Sequence, residues 1–73
     1  MTWHEHVMEV LREDPDRIFT TSEIALEIWP EAKGDKLNTC RGRVSRVLAS
    51  AARFGMVEKI QVTSNLQGWR LAR

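Results

Sequence analysis

The spacing of apolar residues changes at Gly55, and this change constrains the fold more than any other feature of the sequence. Before Gly55, apolar side chains recur at intervals of three and four residues, the period of α-helices. After Gly55, residues 57–62 are rich in β-branched side chains and residues 68–72 alternate apolar with polar, which indicates two strands. The chain is therefore predicted to be α+β, with helices first and a β-hairpin last.

The first two helices are predicted from the residues that begin and end them. Thr2 and Thr20 each stand three residues before a glutamate, the spacing of a capping box in which two side chains satisfy free backbone amides. Each apolar run closes at or just before a proline, which disfavours helix in the residue that precedes it. These signals predict helices over 3–13 and 21–29.

The third predicted helix is the longest. The turn before it, residues 30–34, is rich in proline, glycine and charge, and Asp35 is well placed to cap the helix. Gly55 is a natural left-handed C-cap, so the helix is predicted over 36–54. Its apolar stripe consists of Leu37, Cys40, Val44, Val47, Leu48 and Ala51.

Two connections complete the predicted fold. Residues 18–20 form a short β-favouring stretch that is expected to bridge to an edge of the sheet. Residues 63–68 are predicted to form a turn, with a hairpin loop of about five residues in which Asn65 and Gly68 are available for left-handed backbone conformations.

Length and cysteine content limit the number of domains and the cellular compartment that can be expected. A chain of 73 residues has room for one domain, 1–73, and none for a separate ligand-sensing domain. A secreted chain of this size usually needs several disulfides, whereas Cys40 is the only cysteine, so a reducing, cytoplasmic setting is expected. No uncharged apolar stretch is long enough to cross a bilayer, and no membrane association is expected.

Charge is distributed unevenly along the chain, although the net charge is only +1. Residues 1–35 contain nine acidic and three basic residues, whereas residues 36–73 contain one acidic and eight basic residues. These counts give −6 and +7, a separation that points to a polyanionic partner on one face of the fold. The alternative is two solvated faces of opposite sign that attract each other.

The order of helix, bridge, two helices and hairpin resembles the winged helix-turn-helix superfamily. The resemblance lies in residues 19–25 entering the second helix, 54–59 leaving the third, and 68–71 closing the wing. It implies a three-helix core with a C-terminal β-hairpin wing, in which the third helix lies in the major groove of double-stranded DNA. The turn over residues 30–36 is longer than the turn of the simplest helix-turn-helix motif, which has about three or four residues.

The face of the third helix opposite its apolar stripe is polar and basic. Arg46 and Asn38 have paired hydrogen-bonding groups that suit guanine and adenine edges, and Gly42 lets the backbone approach a groove wall closely. The predicted base-reading residues are Asn38, Thr39, Gly42, Ser45 and Arg46. The predicted phosphate contacts are Lys36, Arg41, Arg43, Arg53, Lys59 and Arg70.

The predicted function is that of a sequence-preferring DNA-binding protein, a small transcriptional regulator that is not an enzyme and needs no cofactor, metal or small-molecule ligand. His4 and His6 have no partner at metal-ligand spacing, and Cys40 lies on the apolar stripe as a core residue. The alternative function is a winged-helix adaptor that binds proteins and not DNA.

A homodimer is a further expectation, because two copies would double the length of DNA contacted. Met8, Leu26 and Trp29 fall outside the apolar stripes of their helices, and exposed apolar residues of this kind mark protein interfaces. The alternative reading of Trp29 is that it covers the end of the core.

Overall fold

The computed structural model describes residues 2–72 of the chain. These residues form three helices, α1 (Trp3–Glu13), α2 (Thr21–Ile28) and α3 (Asp35–Arg53), followed by strands β1 (Val57–Thr63) and β2 (Leu66–Leu71). The strands pair antiparallel, so the predicted winged-helix fold is confirmed. Within residues 2–72, no helix has the length and apolar character needed to cross a membrane.

Local hydrogen bonds fix the start of α2. The hydroxyl of Thr20 accepts the N–H of Glu23 at 3.1 Å, and the Glu23 carboxylate accepts the N–H of Thr20 at 3.0 Å, which completes the predicted capping box. Arg17 donates to the other carboxylate oxygen of Glu23 at 2.6 Å and ties the preceding turn to this cap. At the start of α1, the Thr2 hydroxyl accepts the N–H of Glu5 at 3.2 Å in the same way.

The start of α3 differs from the prediction by one residue. Asp35 is the first helical residue, and the N-cap is Gly34, which has a φ of 57° and makes no side-chain cap. A positive φ is accessible to glycine and strained for other residues, so backbone conformation and not a side chain defines this helix start. Asp35 instead places a negative charge in the first turn, where the helix dipole favours it.

The end of α3 is the predicted left-handed cap. Gly55 has a φ of 75°. Its N–H donates to the carbonyl oxygen of Ala52 at 3.1 Å, and the N–H of Met56 donates to that of Ala51 at 2.9 Å. This pair of bonds is a Schellman motif, which satisfies the last carbonyls of the helix. The chain therefore turns directly from α3 into β1.

The core lies where the three helices meet the hairpin. Its largest fully buried side chains are Val7, Leu11, Ile24, Cys40, Val44 and Leu48. The thiol of Cys40 donates to the carbonyl oxygen of Ala25 at 3.8 Å and links α3 to α2. Burial raises the pKa of this thiol, which keeps it protonated and makes it a poor nucleophile.

Met8 is buried, and its predicted place on a dimer surface was wrong. Its side chain is 3% exposed. α1 packs against α2, α3 and β2 together, so the buried part of this helix is wider than a single apolar stripe. Of the three residues predicted for a dimer surface, Leu26 and Trp29 are exposed.

The segment before α2 joins the hairpin as predicted. Phe19 and Trp69 exchange two backbone hydrogen bonds, of 2.8 and 2.7 Å, in an isolated bridge beside β2. The indole N–H of Trp69 donates to the hydroxyl of Thr21 at 3.3 Å. The wing is therefore anchored to the start of α2 through both backbone and side chain.

The hairpin loop is shorter than predicted. Residues 64 and 65 connect the strands, and Asn65 does not adopt a positive φ. Gly68 lies inside β2 opposite Ile60, where a Cβ would stand 2.3 Å from Cγ2 of Ile18. Glycine is needed at position 68 because another segment packs on it, and not because the chain turns there.

Candidate nucleic-acid interface

One face of α3 brings together all five predicted base-reading residues. The opposite side of the helix packs into the core through Cys40, Val44, Leu48 and Ala51. Successive residues of an α-helix rotate by about 100°, so the remaining side faces solvent. Its predicted base-reading residues are all exposed: Asn38, Thr39, Gly42, Ser45 and Arg46. We refer to these five residues as the reading face.

Gly42 lies at the middle of the reading face. Among the described residues, no heavy atom outside its own helical turn lies within 4 Å of the place where a Cβ would stand. The fold therefore gives no steric reason for glycine here, although glycine inside a helix costs about 1 kcal/mol relative to alanine. The missing side chain leaves the backbone of α3 accessible between Asn38 and Arg46.

Four cations of α3 have their full charge available. Lys36, Arg41, Arg46 and Arg53 are exposed, and none of them forms an ion pair with another residue in the range 2–72. No acidic residue occurs between positions 36 and 53, so no carboxylate of α3 beyond Asp35 opposes them. This part of the helix therefore presents uncompensated positive charge to solvent.

The other three predicted phosphate contacts are engaged within the fold. The Arg43 guanidinium carbon lies 5.8 Å from the centre of the Trp3 ring, and Lys59 Nζ lies 5.8 Å from that of Trp69. Arg70 donates to the Glu58 carboxylate at 2.8 Å. A cation over an aromatic ring keeps its charge, whereas a carboxylate offsets it. Arg70 is therefore the weakest of the predicted phosphate contacts.

The wing tip adds polarity without charge. The side-chain amide of Gln61 donates to the carbonyl oxygen of Thr63, and the amide of Gln67 donates to the Gln61 side chain at 3.4 Å. These amides are thus partly engaged within the wing. Val62 and Leu66 beside them are exposed apolar residues.

A cavity of about 470 Å³ adjoins the reading face at the turn between α2 and α3. Its walls are Trp29, Glu31, Ala32, Asp35, Lys36 and Thr39. Trp29 is 54% exposed, and its ring meets that of Trp3 edge-on with centroids 6.0 Å apart. The long turn and the position of Trp29 outside the apolar stripe were the sequence signals at this place, but neither predicts a cavity.

The described residues offer no evident metal centre. Across residues 2–72, no group of three or more histidine, cysteine, aspartate or glutamate side chains is arranged to hold a metal ion. The surface of α3 offers hydrogen bonding, positive charge and, at the cavity, apolar contact.

The three helices, the bridge and the hairpin define a winged-helix domain. No protein-family model matches the sequence, and no curated protein matches it. Among solved structures, the fold is similar to that of a ferric uptake regulator from Francisella tularensis, determined with iron, at a TM-score of 0.75 and 12% sequence identity. The match covers 100% of this chain and 52% of that chain, so this domain spans about half of the regulator's length. At this identity the likeness shows the fold alone.

Proposed function

We propose that the chain binds double-stranded DNA with sequence preference and acts as a small transcriptional regulator. The observation that carries the proposal is the reading face, an exposed side of α3 that is flanked by unpaired cations and has an accessible backbone at Gly42. A major groove about 12 Å wide admits one α-helix. The name of the structural neighbour, a ferric uptake regulator, supports a regulatory role.

In this proposal the residues divide between base reading and positioning. Arg46 donates two hydrogen bonds to a guanine edge and Asn38 pairs with an adenine, while Thr39 and Ser45 contact bases as single donors or acceptors. Lys36, Arg41 and Arg53 contact phosphates on the two sides of the groove. Arg43 and Lys59 lie over aromatic rings and keep their charge, so they add electrostatic attraction to DNA. No cofactor takes part.

The first prediction separates the two roles. Arg46→Ala is expected to weaken binding to the preferred duplex and to relax its preference by about 1–3 kcal/mol, because a bidentate base contact is lost. Arg41→Ala is expected to weaken binding to all sequences alike. Duplexes selected from a random pool supply the preferred site, and fluorescence anisotropy measures the affinities for it and for mixed-sequence DNA.

Two outcomes would contradict this assignment. If both variants reduced specific and mixed-sequence binding equally, Arg46 would have no base-reading role. If the unaltered protein gave no mobility shift with duplex DNA at low salt, the protein-interaction adaptor would be the better description. The selected site also reports oligomeric state, because the half-sites of a dimer recur about one helical turn apart.

A further inference from the structure

The cavity between α2 and α3 has no role in the contacts assigned above, although it shares residues with them. Lys36 and Thr39, both assigned to DNA, line it together with Trp29 and Ala32. Ala32 is 8% exposed and forms an apolar part of the wall. Thr39 belongs to both the cavity wall and the reading face. If Thr39 contacts a base, the next base along the groove therefore lies at the mouth of the cavity.

Trp29 presents an apolar surface at this mouth. Its indole meets the Trp3 ring edge-on, and 54% of the residue is exposed. A half-exposed indole next to a polar binding face is typical of contact surfaces, because its burial against a partner is favourable.

The charges at the cavity determine what can enter it. Glu31 and Asp35 line the cavity with Lys36, and neither carboxylate forms an ion pair within the described part of the chain. Inside the cavity, two carboxylates outweigh the Lys36 ammonium and disfavour a phosphate, so the sugar-phosphate backbone of DNA is a poor occupant. A phosphate that Lys36 contacts therefore lies outside the cavity. A neutral base edge is acceptable, and the apolar group on base edges in the major groove is the 5-methyl of a pyrimidine.

We propose that Trp29 and Ala32 form a subsite for a pyrimidine 5-methyl group, next to the base contacted by Thr39. The inference rests on the proposed function, and it adds apolar recognition from the α2–α3 turn to the polar reading face. Thymine and 5-methylcytosine both carry this methyl group. Removing one methyl from water against an apolar surface corresponds to about a fourfold gain in affinity.

The experiment uses the whole chain and its selected duplex. Each thymine is replaced in turn by deoxyuridine, and each cytosine by 5-methylcytosine, and affinities are measured by fluorescence anisotropy. At one position in the part of the site bound by the start of α3, the protein is expected to bind the methylated base about fourfold more tightly than its unmethylated counterpart. Trp29→Ala is expected to bind both duplexes of that pair equally.

Two variants act as controls. Trp29→Phe keeps an aromatic surface and should retain most of the methyl preference. Phe54→Ala removes a 79% exposed aromatic side chain just past the other end of α3 and should leave the preference unchanged. Thermal unfolding of each variant verifies that it is folded at the temperature of the binding measurement.

The outcomes distinguish failure of the inference from failure of the proposed function. If the protein binds DNA and no position shows a methyl preference, or if Trp29→Ala keeps the preference, the inference is wrong and the DNA-binding function stands. If the protein binds no duplex, both are overturned. If Trp29→Ala converts a dimer into a monomer in sedimentation and leaves base preference unchanged, Trp29 belongs to a contact between two copies, which also overturns the inference.

Discussion

At the scale of single residues, Gly42 separates what the fold needs from what the proposed DNA binding needs. Nothing in the described structure crowds a Cβ at this position, and alanine is the better helix former. Gly42→Ala is therefore expected to raise the free energy of unfolding by about 0.5–1 kcal/mol. The same methyl would stand between α3 and the groove wall, so DNA affinity should fall. Thermal unfolding and fluorescence anisotropy measure the two effects.

Ser50→Ala is the matched control for this variant. Ser50 is exposed about two turns further along α3 and about 80° around the helix from Gly42, it is not one of the five residues of the reading face, and its replacement also improves helix propensity. It should gain stability and keep its affinity for DNA. A Gly42→Ala protein that is more stable and binds DNA as tightly as before would show that the backbone at Gly42 does not approach the groove.

Gly68 is the opposite case, because here the fold itself requires glycine. A Cβ at this position would stand 2.3 Å from Ile18 Cγ2 and 3.2 Å from the carbonyl oxygen of Phe19. Gly68→Ala is expected to lower the free energy of unfolding by about 1–3 kcal/mol through overpacking, as measured by chemical denaturation. Adding Ile18→Ala removes the nearest atom and should recover part of the loss. If the double variant is no more stable than Gly68→Ala, the contact with Ile18 is not the cause of the lost stability.

At the scale of elements, the sequence predicts the features that depend on residues close in sequence, and it misses those that depend on contacts between residues far apart in sequence. Helix ends depend on caps and prolines within a few positions, and each predicted helix bound lies within one residue of the observed one. The predicted hairpin loop was too long because it counted Gly68 as a turn residue. Glycine occurs at position 68 because Ile18, which is remote in sequence, packs against it. In the same way, α3 residue types indicate the reading face, whereas the contact of Arg43 with Trp3 requires the packed helices.

The cap of α2 gives this element a dependence on pH. The N–H of Thr20, and then Arg17, hold the pKa of the Glu23 carboxyl below its ordinary value. Because the folded pKa is lower than the unfolded one, the stabilisation is complete above about pH 5 and is lost as pH falls through the folded pKa. Glu23→Gln should lower the free energy of unfolding by about 0.3–1 kcal/mol at neutral pH, since the half-exposed ion pair is screened.

The difference between Glu23→Gln and the unaltered protein should shrink as the pH is lowered, when unfolding is followed by circular dichroism at each pH. Glu27→Gln removes an exposed carboxylate from the same helix without touching its cap, so its profile is the reference to subtract. A difference that stays constant between neutral and acid pH would exclude the ionised cap as its cause.

At the scale of the whole molecule, the acidic and basic halves of the sequence form different elements. α1 and α2 carry five of the nine acidic residues of positions 1–35 and pack against α3, which carries five basic residues between positions 36 and 53. In the proposed function, the acidic helices repel DNA and the basic face of α3 attracts it, so the domain would be oriented as it approaches the duplex. Glu31 and Asp35 lie outside α1 and α2 and line the cavity next to the reading face.

This charge distribution predicts how DNA binding depends on salt. About six cations near phosphates would release counterions, so the logarithm of the association constant should fall against the logarithm of salt concentration with a slope near −5. Arg41→Ala should reduce the magnitude of the slope by about one, because its charge is unpaired, whereas Arg70→Ala should reduce it by less, because Glu58 already offsets its charge. Anisotropy titrations between about 50 and 200 mM salt measure all three slopes. A reduction for Arg70→Ala as large as a reduction of about one for Arg41→Ala would show that the Arg70–Glu58 pair opens on DNA and that Arg70 then contacts a phosphate directly.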